Sequence, residues 1–209
     1  MYLIACCIRE IGVYCEVAPW DIDAADVEQF GAKGIILSGG PETVTGDDAP
    51  VAPQVGFELG VPGWGICYGM QLMAQLLEGG HVEKAEHGEY GKANLEIFSQ
   101  KKLFKEVDNH SQVWMSHGDH VKEVPTGFEV IARTEVTSAA AIADFERDFY
   151  GVQFHPEVNH TIQGKTILHN FLFRIVDLKA NWNMADYINQ EVERIRKQVG
   201  KGKVICGLS

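Results

Sequence analysis

The first half of the chain alternates between helical patterns of apolar residues and short continuous apolar runs. Two runs, GIILSGGP (34–41) and VPGWGIC (61–67), have the length and composition of buried strands, and each leads into a turn. The helical stretches cover residues 3–14, a segment from Asp21 or Asp23 to about Phe30, residues 51–59, and the residues that follow Cys67. Strands that alternate with helices in this way favour a parallel sheet covered on both faces.

The second half of the chain changes to a pattern of strands between about residues 81 and 154. The predicted strands are apolar or alternating segments: ANLEIF, FEVIART, AAIADF and FYGVQFH. Two amphipathic helices follow, with Leu168, Phe171, Leu172, Ile175 and Val176 on one face of the first, and Ile188, Val192, Ile195 and Val199 on one face of the second. The chain is therefore predicted to be an α/β protein, with an open, mostly parallel sheet, helices on both faces and an added antiparallel strand region.

Both ends of the chain look like the interior of a longer sequence. The first residues form a helical pattern with no strand before it, although an α/β unit normally begins with a strand. The last residues, KVICGLS (203–209), form an apolar strand pattern with no sheet to join. These two features predict a fragment that is cut at both ends.

Composition and charge narrow the range of functions. The 209 residues are 45% apolar and 22% charged, which is the balance of a soluble globular protein. The net charge of −11 argues against a general affinity for nucleic acid or anionic membranes. No apolar run approaches the ~20 residues of a membrane span. The five cysteines are Cys6, Cys7, Cys15, Cys67 and Cys206. Their odd number and the lack of a CxxC pair predict a reducing, cytoplasmic location.

The segment GWGICYG places Cys67 between an apolar strand and a helix, with Gly65 and Gly69 on either side. A strand that turns sharply into a helix exposes the turn residue at the carboxyl end of the sheet, and flanking glycines give the turn backbone freedom and space. The helix N-terminus favours a thiolate, and its free N–H groups can hold an oxyanion. Cys67 is therefore a candidate nucleophile; a small buried cysteine in a glycine-rich turn is the alternative.

A thiolate nucleophile needs a base, and His155 is the best placed of the eight histidines. The segment FYGVQFHPEV puts His155 at the end of an apolar strand that Pro156 stops. Glu157 is two residues away and can orient the imidazole and stabilise its charged form. Cys67 and His155 would both lie at the carboxyl ends of strands, where open α/β sheets place their sites. A surface turn is the alternative for the His-Pro-Glu segment alone.

Several motifs together resemble the class I glutamine amidotransferases. GICYGMQ with FHPEV is similar to their Cys-His-Glu triad, and LSGGPE (37–42) is similar to their oxyanion loop. Within that class, four segments resemble the glutaminase domain of bacterial GMP synthetases: REIGVYCEV, GIILSGGPE, VWMSHGD and YGVQFHPEVNHT. The tail RIRKQVGKGKVICGLS resembles the entry to their ATP-pyrophosphatase domain.

The resemblance implies a role for each matching residue. Cys67 would attack the side-chain amide of glutamine to form a glutamyl thioester and release ammonia. His155 would act as general base and then as acid, with Glu157 orienting it. The N–H groups of Gly40 and Tyr68 would form the oxyanion hole. The residues implied to hold glutamine are Gly39, Gln71, Ser116, His117 and Gly118.

The resemblance also implies domains, partners and cofactors. Residues 1–180 would form the glutaminase domain without its first strand, and residues 181–209 a linker helix and the first strand of a truncated synthetase domain. The whole enzyme, expected to be a homodimer, would pass the ammonia to adenylated xanthosine monophosphate (XMP) to give GMP. ATP and Mg²⁺ would serve the synthetase domain, and the glutaminase domain would need neither cofactor nor metal.

Two features depart from the family pattern. Family members open with a strand that ends in a DFGSQY-like stretch, and this chain begins after it with MYLIACC. Loss of that strand would leave an unpaired sheet edge, so we expect it to weaken folding more than chemistry. Cys6 and Cys7 stand where the family more often carries arginines, a change expected to be neutral.

Other functions remain open. A cysteine hydrolase of γ-glutamyl peptides would share Cys67 and a histidine, although LSGGPE with HPE favours free glutamine. A non-catalytic remnant that only docks a synthetase partner would fit the missing first strand. His117 and His120, with His110 nearby, have H-x-x-H spacing but no third ligand at a useful distance, so no metal is expected there.

Overall fold

The computed structural model describes residues 2–46 and 48–205, except for the side chains of Glu86, Met184, Ala185 and Gln190. The helices are α1 (Tyr2–Glu10), α2 (Ala24–Phe30), α3 (Val55–Glu58), α4 (Tyr68–Leu76), α5 (Gly164–Asn170) and α6 (Met184–Val199). The strands are β1 (Ile35–Leu37), β2 (Gly63–Ile66), β3 (His81–Asn94), β4 (Glu96–Ile97), β5 (Gln112–Glu123), β6 (Glu129–Arg133), β7 (Ala141–Asp144) and β8 (Phe149–Val152). A 3₁₀ turn covers Lys102–Phe104, and a π-helical turn, Phe171–Ile175, continues α5.

Six strands form the main sheet in the order β1-β2-β8-β7-β6-β4. Strands β1, β2 and β8 are parallel, and the remaining neighbours pair antiparallel. Because β6 points the same way as β8, four of the six strands share one direction. This architecture confirms the predicted α/β fold with an added antiparallel region.

Two hydrophobic clusters fill the two faces of the main sheet. Trp64 and Ile66 of β2 face the cluster that includes residues of α1 and α5. Gly63 and Gly65 alternate with them and face the other cluster, which includes residues of α4 and Phe149 of β8. A Cβ on Gly65 would lie 2.5 Å from the Gly69 carbonyl oxygen, so glycine lets α4 pack directly on the strand. Helices therefore cover both faces, as the alternating pattern predicted.

A separate two-stranded antiparallel sheet of β3 and β5 was not among the strands predicted from the sequence. Its first strand, HVEKAEHGEYGKAN, is mostly polar and lacks the apolar alternation that marks a strand. The segment ANLEIF is also split, because β3 ends at Asn94 and β4 starts at Glu96. The pairing is interrupted between Lys84 and Glu89, where β3 carries extra residues opposite His117–Asp119 of β5.

The two C-terminal helices are present, but their apolar faces have different environments. Leu168, Phe171, Leu172 and Ile175 are buried, as predicted. On α6, Ile188 is 53% exposed and Ile195 is 47% exposed, so this apolar face is open to solvent. Residues 203–205 form no strand, and the rest of the predicted strand KVICGLS lies outside the described residues. Among the helices described, none combines the length and apolar character needed to cross a bilayer.

Candidate active site

The turn between β2 and α4 holds Cys67 in a strained backbone conformation. Its φ is 52° and its ψ is −107°, a region that side-chain-bearing residues rarely adopt. The Cys67 N–H donates to the Val152 carbonyl at 2.8 Å, which ties the turn to β8. A Cβ on Gly69 would lie 2.1 Å from the Leu37 carbonyl oxygen. The flanking glycines thus provide space, while the positive φ expected of them is found at Cys67 itself.

His155 and Glu157 meet at the carboxyl end of β8, next to this turn. The His155 backbone N–H donates to the Trp114 carbonyl at 3.0 Å, which fixes the segment against β5. His155 Nδ1 lies 2.9 Å from Glu157 Oε1. The Glu157 side chain is only 8% exposed, and its Oε2 is buried without a hydrogen-bond partner among the described atoms. The carboxylate is therefore held against the imidazole.

The Cys67 and His155 side chains interact electrostatically. Burial alone would lower the pKa of His155, but hydrogen bonds to Cys67 and Glu157 and the charges of both groups raise it to about 10. The His155 imidazole thus has both Cys67 and Glu157 as neighbours. The structure therefore brings together the three residues predicted as a catalytic triad.

Gly39 and Gly40 cover this pair from the loop that follows β1. A Cβ on Gly39 would lie 3.0 Å from His155 Cε1 and 3.5 Å from Cys67 Cβ, so the backbone passes close to both side chains. A Cβ on Gly40 would lie 3.7 Å from the Tyr68 ring. Tyr68 begins α4, where backbone N–H groups have no carbonyl one turn earlier in the helix. The two predicted oxyanion-hole residues are thus neighbours, and their role remains a prediction.

The residues predicted to hold glutamine are only partly gathered around Cys67. Cys67 Sγ lies 3.7 Å from the Ser116 carbonyl oxygen, so strand β5 borders Cys67. Gln71 is 3% exposed, and its Nε2 donates to the Asp119 carbonyl at 2.8 Å. The His117 ring is buried against Asp119 and contacts the Thr137 hydroxyl, and Gly118 lies beside Tyr90. Their binding roles stay predictions.

Two polar residues near the site, one fully buried and one partly buried, escaped the sequence analysis. Gln153 is fully buried, and its Nε2 lies 3.7 Å from Cys67 Sγ. Its signal in the sequence is a glutamine within the apolar run FYGVQFH, where a polar side chain requires a partner. Glu89 accepts hydrogen bonds from Thr134 and Thr137 beside His117, and its polar surroundings in the sequence gave no signal.

Comparison with known proteins assigns the chain to a family. The sequence model described as "Glutamine amidotransferase class-I" matches residues 1–175. The chain belongs to the class I glutamine amidotransferases. This membership confirms the resemblance drawn from GICYGMQ, LSGGPE and FHPEV.

Similar proteins support the amidotransferase assignment. A protein named GMP synthase [glutamine-hydrolyzing] from Halothermothrix orenii is 54% identical over 207 residues, covering 99% of this chain and 40% of that protein. A protein of the same name from Hydrogenovibrio crunogenus is 51% identical over 215 residues, covering 99% of this chain and 41% of that protein. The chain thus spans about 40% of the length of these curated relatives.

A solved structure extends the likeness to the whole amidotransferase fold. A protein from Thermoplasma acidophilum, described as a putative GMP synthase subunit, superimposes with a TM-score of 0.73 at 28% identity, covering 92% of this chain and 91% of that one.

Within residues 2–46 and 48–205 of our chain, no three His, Cys, Asp or Glu side chains converge as metal ligands. His120 instead lies 3.5 Å from Glu83.

Proposed function

We propose that this amidotransferase chain hydrolyses glutamine through a thioester on Cys67. The main support is the position of His155, which interacts with Cys67 on one side and lies 2.9 Å from Glu157 on the other. The strained turn presents the sulfur at the end of the sheet, where α/β folds place their sites. Family membership supports the same reaction.

Each step of the reaction uses a group of this chain. The Cys67 thiolate attacks the side-chain amide carbon, and the developing oxyanion is held by the backbone N–H groups of Gly40 and Tyr68. The His155 imidazolium gives its proton to the leaving nitrogen, which departs as ammonia. Neutral His155 then takes a proton from water, whose oxygen attacks the thioester and releases glutamate. Glu157 keeps the imidazole oriented throughout.

We further propose that the ammonia serves GMP synthesis in a longer protein. The support is that two relatives named GMP synthase [glutamine-hydrolyzing] are 54% and 51% identical to this chain over the matched residues. In that setting residues 181–209 would form a linker helix and the first strand of a synthetase domain that binds ATP, Mg²⁺ and XMP. The full-length enzyme would be a cytoplasmic homodimer.

Ammonia release tests the proposal. The chain is incubated with glutamine, and ammonia and glutamate are both measured. We expect equal amounts of the two products, and we expect Cys67→Ala to abolish both while the thermal unfolding midpoint changes little. Cys15→Ala is the matched control, because Cys15 is half-buried near Ala5 and away from the triad. Turnover that survives Cys67→Ala would disprove the thioester.

The same assay separates the alternative functions. Release of glutamate from γ-glutamyl peptides but not from glutamine would identify a peptide hydrolase. A folded chain that releases nothing, alone or with a synthetase partner added, would be a docking remnant. The exposed apolar face of α6 is the feature that favours docking.

A further inference from the structure

Gln153 occupies a position from which it can act on the nucleophile. It follows β8 immediately, and its backbone N–H donates to the Ala140 carbonyl at 2.9 Å, so the main chain is fixed. Its side chain has no solvent exposure. The Nε2 atom lies 3.7 Å from Cys67 Sγ, within hydrogen-bond range for sulfur. A fully buried amide that points at the reacting sulfur requires an explanation.

The hydrogen-bond network defines which end of the Gln153 amide faces the sulfur. The Asp119 backbone carbonyl can only accept, so the Gln71 atom 2.8 Å away from it must be the nitrogen. The same Gln71 nitrogen lies 3.2 Å from the Gln153 amide and donates its second proton there. Gln153 must therefore present its oxygen to Gln71. Its NH₂ group is left facing Cys67.

The Asp119 carbonyl that starts this chain of contacts is itself fixed by His117. His117 Nδ1 lies 2.8 Å from that oxygen and must donate to it. On the other side of the ring, the single proton of the Thr137 hydroxyl goes to Glu89 Oε2 at 2.5 Å. His117 Nε2 lies 3.3 Å from the Thr137 oxygen. The Asp119 carbonyl therefore accepts from two donors, Gln71 Nε2 and His117 Nδ1. These contacts fix the orientation of the Gln71 amide and, through it, that of the Gln153 amide.

We propose that Gln153 is a catalytic residue whose Nε2–H donates to the Cys67 sulfur and stabilises its thiolate. When the sulfur is a thiol, its proton points to the Ser116 carbonyl and the sulfur is a weak acceptor. When that proton passes to His155, the sulfur becomes an anion and the contact from Gln153 becomes charge-assisted. The contact therefore favours the reactive form. This inference rests on the proposed function only in taking Cys67 as the nucleophile.

Alkylation of Cys67 tests the contact without requiring turnover. The full chain is treated with iodoacetamide across a range of pH, and the modified Cys67 peptide is quantified by mass spectrometry. Gln153→Met keeps the side-chain length and removes the N–H donor. We expect it to slow alkylation at pH 7 about tenfold, because loss of a hydrogen bond to the charged sulfur should raise the pKa of Cys67 by about one unit. The difference in alkylation rate should narrow as the pH rises.

Gln100→Met is the matched control, because Gln100 is exposed and its amide donates only to the Val107 carbonyl. Its alkylation profile should equal that of the parent chain. If Gln153→Met does not fold, Gln153→Glu still accepts from Gln71 but offers an oxygen to the sulfur, and its alkylation should also be slowed. A folded Gln153 variant with the parental profile would overturn the proposal. A shifted profile in a chain that releases no ammonia would support the contact and reject the glutaminase function.

Discussion

Gly39 is the residue at which a single methyl group would most directly disturb the site. A Cβ there would lie 3.0 Å from His155 Cε1, closer than carbon atoms normally approach. We expect Gly39→Ala to displace the imidazole and lower kcat for glutamine by more than about tenfold, with little change in the unfolding midpoint. Gly56→Ala is the control, because a Cβ there would meet only Ile35 at 3.7 Å. Equal activity of the two variants would contradict the placement of His155.

Cys67 and Glu157 together keep the pKa of His155 above its ordinary value. The pKa of His155 is raised to about 10, so the stabilisation by its partners is full below the ordinary histidine value of about 6.5 and is lost as the pH rises through 10. Glu157→Gln removes the carboxylate and should lower that pKa. We expect kcat to fall about 10²- to 10⁴-fold, and the alkaline decline of kcat/KM to begin at lower pH.

Exposed Glu193 on α6 provides a control for that experiment, since it pairs only with Arg196 at 2.8 Å. Glu193→Gln should leave the pH profile unchanged. An unchanged profile in Glu157→Gln as well would show that the carboxylate does not act on the imidazole.

Some residues of the candidate site could be predicted from the sequence, and others could not. Cys67 and His155 lie at strand ends marked by glycine or proline, so a local pattern was enough to predict them. Gln153 becomes meaningful only when β8 is placed beside β2, because its contact with Cys67 spans 86 positions in the chain. A contact between residues that distant has no local signal in one sequence.

At the scale of elements, the two-stranded sheet of β3 and β5 is linked to its surroundings by the partly buried carboxylate of Glu89. Burial alone would raise the pKa of Glu89, but the neighbouring His117 ring and hydrogen bonds from Thr137 and Thr134 lower it overall. These contacts link β3 to β5 and to the loop before β7. Glu89→Gln should reduce the free energy of unfolding at pH 7 by about 1–3 kcal/mol, since a neutral amide accepts fewer bonds.

The pH dependence of that loss has a defined sign. A lowered pKa means that the carboxylate stabilises the fold at neutral pH and ceases to do so as the pH falls through its folded-state value. The difference in the free energy of unfolding between Glu89→Gln and the parent chain, measured by urea unfolding, should therefore narrow below about pH 4. Glu96→Gln is the control, because its pair with Arg133 is exposed and should contribute less than about 1 kcal/mol. Equal losses in both variants would reject a special role for Glu89.

The elements that the sequence predicted well are those with a regular apolar pattern. Strands β2 and β8 are continuous apolar runs, and both were predicted. Strand β3 is mostly polar, and it is held by pairing with β5 and by polar contacts such as those of Glu89. Hydrophobic periodicity carries no information on such a strand.

At the scale of the whole molecule, stability should be concentrated in the two clusters around the main sheet. Ile66 of β2 is fully buried, so Ile66→Ala should cost about 2–5 kcal/mol. Ile195 of α6 is 47% exposed, so Ile195→Ala should change the free energy of unfolding by less than about 0.5 kcal/mol. Urea unfolding monitored by circular dichroism measures both. A large loss in Ile195→Ala would show that α6 packs against the domain in solution.

The fold class was predictable as a whole because alternation of strands and helices follows from local pattern and chain connectivity. The environment of α6 was not predictable in the same way. Its apolar face, Ile188, Val192 and Ile195, has the spacing of a packed helix, yet it is exposed here. Periodicity indicates which face prefers burial, but it does not identify the surface that buries it.

The central position of β2 has a consequence for the motions of the protein. All four of its residues are buried, and it pairs with a strand on each side. Amide protons in such a strand exchange with solvent only when the entire domain opens, whereas hairpins and exposed helices open locally and far more often. The backbone that positions Cys67 thus continues the least mobile part of the molecule. Fluctuations at its periphery can occur without moving the sulfur.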